Sequence, residues 1–111
     1  MNKKDSSKLA AKASNLTGLI DYQEGSVVSR TIIDKKTGTV TLFAFDENQC
    51  LSEHTAPFEV LIYVIEGEVD LTISGKPLTL KQGEVTIVLT NEPHALAAKT
   101  KFKMLLTMIK T

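Results

Sequence analysis

From Ser26 onward, apolar and polar residues alternate in short runs, with turn residues recurring about every ten positions, the pattern of successive β-strands rather than of helices. Ser26–Ile33 (SVVSRTII) and Thr39–Phe45 (TVTLFAF) are β-branched runs around the polar loop Asp34-Lys35-Lys36-Thr37-Gly38. Asp46-Glu47-Asn48 turns the chain into Gln49–Thr55, a half-polar strand, and Glu59–Ile65 follows as an apolar one. Val69–Ser74 alternates most cleanly, with Val69, Leu71 and Ile73 on one face and Asp70 and Thr72 on the other. Ser74-Gly75-Lys76 is a tight hairpin signal leading to Pro77–Leu80, and Lys81-Gln82-Gly83 turns again into Glu84–Leu89. Pro93–Lys99 and Phe102–Ile109 complete the set. Short strands with a turn at each junction and little helix predict an all-β sandwich or barrel. Residues 1–14 are polar and rich in Ala and Lys, and read as a flexible tail or one weak helical turn. Leu16, Leu19 and Ile20 then open a single domain over 15–111, with Asn15, Thr17 and Gly18 supplying turn chemistry.

Two of these strands are apolar on both faces. In Glu59–Ile65, Val60, Ile62 and Val64 share one side while Leu61, Tyr63 and Ile65 share the other. In the last strand Phe102, Met104, Leu106 and Met108 oppose Leu105 and Ile109. A sheet with one face in water has no need of the second apolar face. The N-terminal segment could cover it, or it could form a homodimer interface; a homodimer is the expectation carried forward.

Composition narrows the function classes. Thirteen basic and thirteen acidic residues cancel over 111 positions, so no electrostatic pull toward nucleic acid or a membrane surface is implied. Trp is absent and aromatics are few, which argues against stacking platforms for single-stranded nucleic acid. No run approaches the apolar length of a membrane span, and the Lys-containing N-terminus lacks the apolar core of a signal peptide. One cysteine cannot form an internal disulfide, which fits a reducing, cytoplasmic location. There is no phosphate-binding loop, no glycine-rich nucleotide turn, no nucleophile elbow and no cysteine pair, so no nucleotide cofactor is expected.

Both histidines, the cysteine and two of the three prolines fall in two stretches, QCLSEHTAPFEVLIYVIEGE (49–68) and GEVTIVLTNEPHALAA (83–98). Their order resembles the two short motifs of the cupin superfamily, over residues 26–109. In the first motif Asn48 stands at the opening glycine, His54 at the first histidine and Gly67 at the closing glycine; in the second, Gly83 stands at the glycine and His94 at the histidine. The resemblance implies a jelly-roll cupin barrel of two packed antiparallel sheets, in a small single-domain protein of bacterial type. It also exposes departures. Ala56 replaces the second histidine, Val60 occupies the place of the metal-binding glutamate, and Leu89, Asn91 and Ala98 replace the proline, glycine and asparagine of the second motif.

If His54 points into the barrel, strand period carries Cys50, Ser52 and Ala56 inward with it, and His94 brings Leu96 and Ala98. With Val60 and Ile62 these define an expected pocket of Cys50, Ser52, His54, Ala56, Val60, Ile62, His94, Leu96 and Ala98. Its metal donors would be His54 and His94, with Cys50 as a third, or Glu59 if a one-residue bulge near Pro57-Phe58 turned it inward. The cupin resemblance implies a divalent metal at such donors: zinc, iron, nickel or copper. Three functions stand open. The first is a binder of a small molecule in the cavity, with a weakly held metal. The second is a metal-dependent enzyme of the dioxygenase or isomerase and epimerase classes, with Glu53, Glu59 and Tyr63 as the acid–base groups on offer. The third is a structural role around a vestigial pocket.

Overall fold

Each alternating run becomes a strand because it can bury one face while its backbone groups pair with a neighbour. The computed structural model describes residues 4–111. Its strands are β1 (Val27–Lys35), β2 (Gly38–Phe45), β3 (Cys50–His54), β4 (Glu59–Glu66), β5 (Glu68–Ile73), β6 (Lys76–Lys81), β7 (Val85–Val88), β8 (His94–Ala97) and β9 (Phe102–Ile109). They are preceded by a short helix, α1 (Lys4–Leu9), and a 3₁₀ turn at Leu16–Leu19 capped by the Asn15 side chain. A five-stranded sheet is ordered β1-β2-β9-β4-β7 and a four-stranded sheet β3-β8-β5-β6. Every strand pair is antiparallel. The all-β sandwich expected from the alternation is the fold observed.

The core lies between the sheets. Phe45, Val60, Ile62, Val64, Phe102 and Met104 from the large sheet meet Val69, Leu71, Leu80, Leu96 and Ala98 from the small one. At one end Phe45 and Phe102 are directly opposite each other in the β2–β9 ladder, and their rings stack at 4.6 Å. There the chain turns between β4 and β5 at Gly67, whose φ of +75° and approach to the Lys101 carbonyl leave no room for a Cβ.

The second apolar face of the large sheet points away from this core and is covered over only part of the length of its strands. Leu16, Leu19, Ile20 and Tyr22 fold back on Leu42, Ala44, Tyr63, Ile65 and Leu105. The cover is fastened by polar bonds. Arg30 donates to the Leu19 carbonyl at 2.9 Å and pairs with Asp5 of α1 at 3.0 Å. Lys103 Nζ donates to the Thr17 carbonyl at 2.6 Å, and the Tyr22 hydroxyl donates to Glu66 at 2.5 Å. Burial, then the Glu66 carboxylate, pushes the Tyr22 phenol above its ordinary range. The Asp46 carboxylate accepts the Gly25 N–H at 2.7 Å, which holds its acid below the usual value. Of the alternatives for the two-faced strands, cover by the N-terminal segment is the one observed. The N-terminal segment takes one half of the face; Ile33, Ile87 and Ile109 are left exposed on the other, and Val85 is exposed on the β7 edge beside Tyr63.

Candidate functional site

His54 and His94 meet because β3 carries an extra residue. Its ladder with β8 pairs Cys50 with Ala97 and Leu51 with Leu96, then His54 with His94. Three steps on β3 match two on β8, so Ser52 and Glu53 share one opposing position, a β-bulge. The bulge lets Leu51 pack on the core while His54, three residues later, faces the same side. The two imidazole rings sit with centroids 4.2 Å apart, tilted by 56°. His94 is buried at 3 % exposure and His54 is exposed, so the pair lies at the mouth of the sandwich, at the end opposite the two phenylalanines.

The same bulge corrects the expected direction of Cys50 and Ser52. A regular strand would have carried them inward with His54; the inserted residue reverses the phase upstream. Cys50 is exposed on the outer face opposite Ala97, and Ser52 is exposed within the bulge. Glu59 is also away from the site. The bulge near Pro57-Phe58 on which its inward turn depended does not form; Glu59 pairs with Ile109 on the outer face, and Val60 points into the core. Ala56 lies partly buried against that core. Val60, Ile62, Leu96 and Ala98, expected as cavity walls, are packed among their neighbours at 3 % exposure or less. Below the histidines the interior is therefore filled. Glu53 is exposed, and Tyr63 packs under the N-terminal cover.

Backbone carbonyls fix the orientation of both rings. His54 Nδ1 lies 2.8 Å from the Ser52 carbonyl and His94 Nδ1 lies 2.9 Å from the Glu92 carbonyl. A carbonyl oxygen only accepts, so each neutral ring carries its proton on Nδ1 and presents a lone pair at Nε2. Neither Nε2 has a hydrogen-bond partner among the described residues. Sequence reasoning missed Glu92, which holds the loop before β8. Its carboxylate accepts from the Leu89 N–H at 3.0 Å and from the Ser74 hydroxyl at 3.1 Å, while its carbonyl orients His94. The Asn91 N–H closes the same loop on the Ala56 carbonyl at 2.8 Å. An acidic residue two positions before a histidine is too common a pattern to have revealed this.

As a metal centre the arrangement is incomplete. Among the described residues no group of three or more His, Cys, Asp or Glu side chains is placed to hold an ion. Two imidazoles alone fall short of the three protein ligands of a catalytic zinc site and of the two histidines and carboxylate of a non-haem iron site.

The profile of the cupin domain family matches residues 41–110. The chain belongs to that family. Solved structures agree with the cupin assignment. A conserved protein of unknown function from Streptococcus pyogenes superposes with a TM-score of 0.87 at 27 % identity, over 91 % of this chain and 89 % of the other. A cupin superfamily protein from Desulfitobacterium hafniense gives 0.87 at 26 % identity, over 91 % and 93 %. A cupin 2 conserved barrel domain protein from Leptotrichia buccalis gives 0.84 at 37 % identity over 87 % of this chain, which spans 47 % of that protein. No curated protein matches the chain. Within this cupin, Asn48 at the first motif glycine adopts a φ of +67°, a left-handed conformation asparagine tolerates better than most residues.

Proposed function

We propose that this cupin is a cytoplasmic, homodimeric small-molecule binder whose guest sits at the mouth rather than deep in the barrel. The observation that carries this reading is the pair of Nε2 lone pairs, side by side on neighbouring strands at the mouth, with both Nδ1 atoms already committed to backbone carbonyls. Such a pair accepts hydrogen bonds from a guest bearing donor groups, and the apolar side chains packed beneath it offer a floor. A divalent ion would find two nitrogen donors and fill its other positions with water, and so be weakly held. The filled interior speaks against a metal-dependent enzyme, which needs room for a substrate beside a well-held ion.

Calorimetric titration of untagged protein with zinc and with nickel tests the donor pair directly. Binding weaker than about 10 µM, abolished in both His54→Ala and His94→Ala, is the expected result. Stoichiometric binding tighter than about 0.1 µM would show a recruited third ligand and overturn the binder in favour of a metalloenzyme. Native mass spectrometry of the same samples is expected to show a co-purifying organic guest in the wild type and none in the two variants. A guest retained by both variants would sink the mouth site.

A further inference from the structure

The fully buried core between the sheets takes no residue from β1 or β3, and from β2 only Phe45, at the end of the two stacked phenylalanines. Strand β9 packs over β5 and β4 over β6, so the two sheet orders set β2 over β8 and β1 over β3. At this corner the inward wall is polar. Val27, Phe43 and Phe45 touch the core, whereas Val28, Leu42 and Ala44 belong to the outer face. In step with the first set, Ser29, Thr31, Thr39 and Thr41 face inward. Four hydroxyls thus stand on one wall of a gap of about 10 Å, with His54 and His94 on the other. Thr39 is nearest the mouth, and the Thr31–Thr41 pair is one step deeper. These two hydroxyls are directly opposite in the β1–β2 ladder, with their oxygens 3.0 Å apart. Two hydroxyls carry two protons and use one in that bond. The other proton has no partner among the described residues. Thr41 is 9 % exposed and Thr31 half-buried, so the pair is set back from bulk water. Beside it Phe43, Leu51 and Leu106 are only partly buried against the core, as side chains bordering a cleft are. On the inward positions of β1 and β2 the one ionisable group is Asp34 at the exposed rim, and none is cationic.

We infer that the guest of the histidine mouth lies in this corner, and that it is a small, neutral polyol of monosaccharide size. Its hydroxyls donate to the Nε2 atoms of His54 and His94 on one wall and exchange hydrogen bonds with Thr31 and Thr41 on the other. The imidazoles as oriented only accept, while the threonine pair has both a spare proton and lone pairs to offer. A group that answers both walls must donate and accept, as a hydroxyl does. An anion would meet two lone pairs and no cation, and an ammonium would leave the spare threonine proton unmatched. The half-buried Phe43, Leu51 and Leu106 take the C–H faces of the guest. The inference rests on the mouth-site reading above and names its guest class, with Thr31 and Thr41 as specificity-determining residues.

Saturation-transfer NMR on the full chain, with glycerol, myo-inositol, D-ribose and D-glucose as neutral probes, tests it. D-gluconate and cyclohexanol serve as the charged and the singly hydroxylated comparison. At least one polyol is expected to bind with a Kd below about 1 mM, and both comparison compounds about tenfold or more weaker. Thr41→Val is expected to weaken the polyol about tenfold, and the double variant Thr31→Val with Thr41→Val further. The double variant removes both partners of one bond and leaves no unpaired hydroxyl, so it is expected to fold, which circular dichroism checks. Thr107→Val, on the outer face of the same sheet, is expected to change nothing. No polyol bound at about 10 mM, or gluconate bound best, would overturn the guest class. A polyol that binds the threonine variants as well as the wild type, but not His54→Ala, would overturn the corner and leave the mouth site standing. Binding lost in the threonine variants and kept in both histidine variants would overturn the mouth reading and this inference together.

Discussion

The two ends of this sandwich are each marked by a pair of rings facing each other across a strand ladder, and they do opposite things. At one end Phe45 and Phe102 are fully buried, stacked, and fastened from outside by the Tyr22 and Lys103 bonds. At the other, His54 and His94 are similarly close, but one ring is exposed and both keep an uncommitted nitrogen. The phenylalanines can only exclude water. The histidines hold polar atoms at a boundary, where a guest can replace water as their partner. Stability should therefore concentrate at the first pair and recognition at the second.

Breaking the closed end should have the largest effect. Phe102→Ala removes a buried aromatic from the stack and is expected to cost about 4 kcal/mol in denaturant unfolding. A loss below about 1 kcal/mol would show that this end does not anchor the fold. His94→Ala comes next. It deletes a buried ring and leaves the Glu92 carbonyl unpaired, for about 2 kcal/mol and complete loss of guest and metal binding.

Alkaline pH probes the clamp outside the closed end. The folded state holds the Tyr22 proton more tightly than the unfolded chain does. Its stabilisation is therefore complete below the unfolded phenol value of about 10 and drains away as pH rises past it. Thermal unfolding should show a drop of a few degrees between about pH 9 and 11 that Tyr22→Phe reduces. An identical drop in that variant would place the titration elsewhere. The smallest effect on folding is expected from His54→Ala, within about 0.5 kcal/mol because the ring is exposed. This variant should nonetheless abolish binding as fully as His94→Ala. If both histidine variants were equally destabilised, the contrast between the two ends would fail.

Much of this was legible in the chain, because strand alternation reports which faces are buried. Val69, Leu71 and Ile73 face the interior as their spacing required, and the nine runs became nine strands. Phase within one strand was not legible. CLSEH contains no glycine or proline to announce a bulge, and the choice between a regular ladder and a bulged one is made by what Leu51 gains in the core. That choice moved Cys50 and Ser52 out of the site. The motif-like positions of His54 and His94 did lead to each other, whereas the filled interior followed from three-dimensional packing of Val60, Ile62, Leu96 and Ala98 that no local pattern encodes. The coverage of the outer sheet was equally hidden, since Leu16, Leu19 and Ile20 announce apolar cover without saying how far it reaches.

The bulge in β3 also protects the molecule from its own kind. β3 is an edge strand, with backbone donors and acceptors on one side that a stray strand could complete, and an irregular edge is a poor template for fibrous growth. The other edges carry comparable defences. β1 is bulged at Ile32, β6 is interrupted by Pro77 and bounded by Lys76 and Lys81, and β7 is four residues long. None of these four margins is an inviting place for a further strand to add.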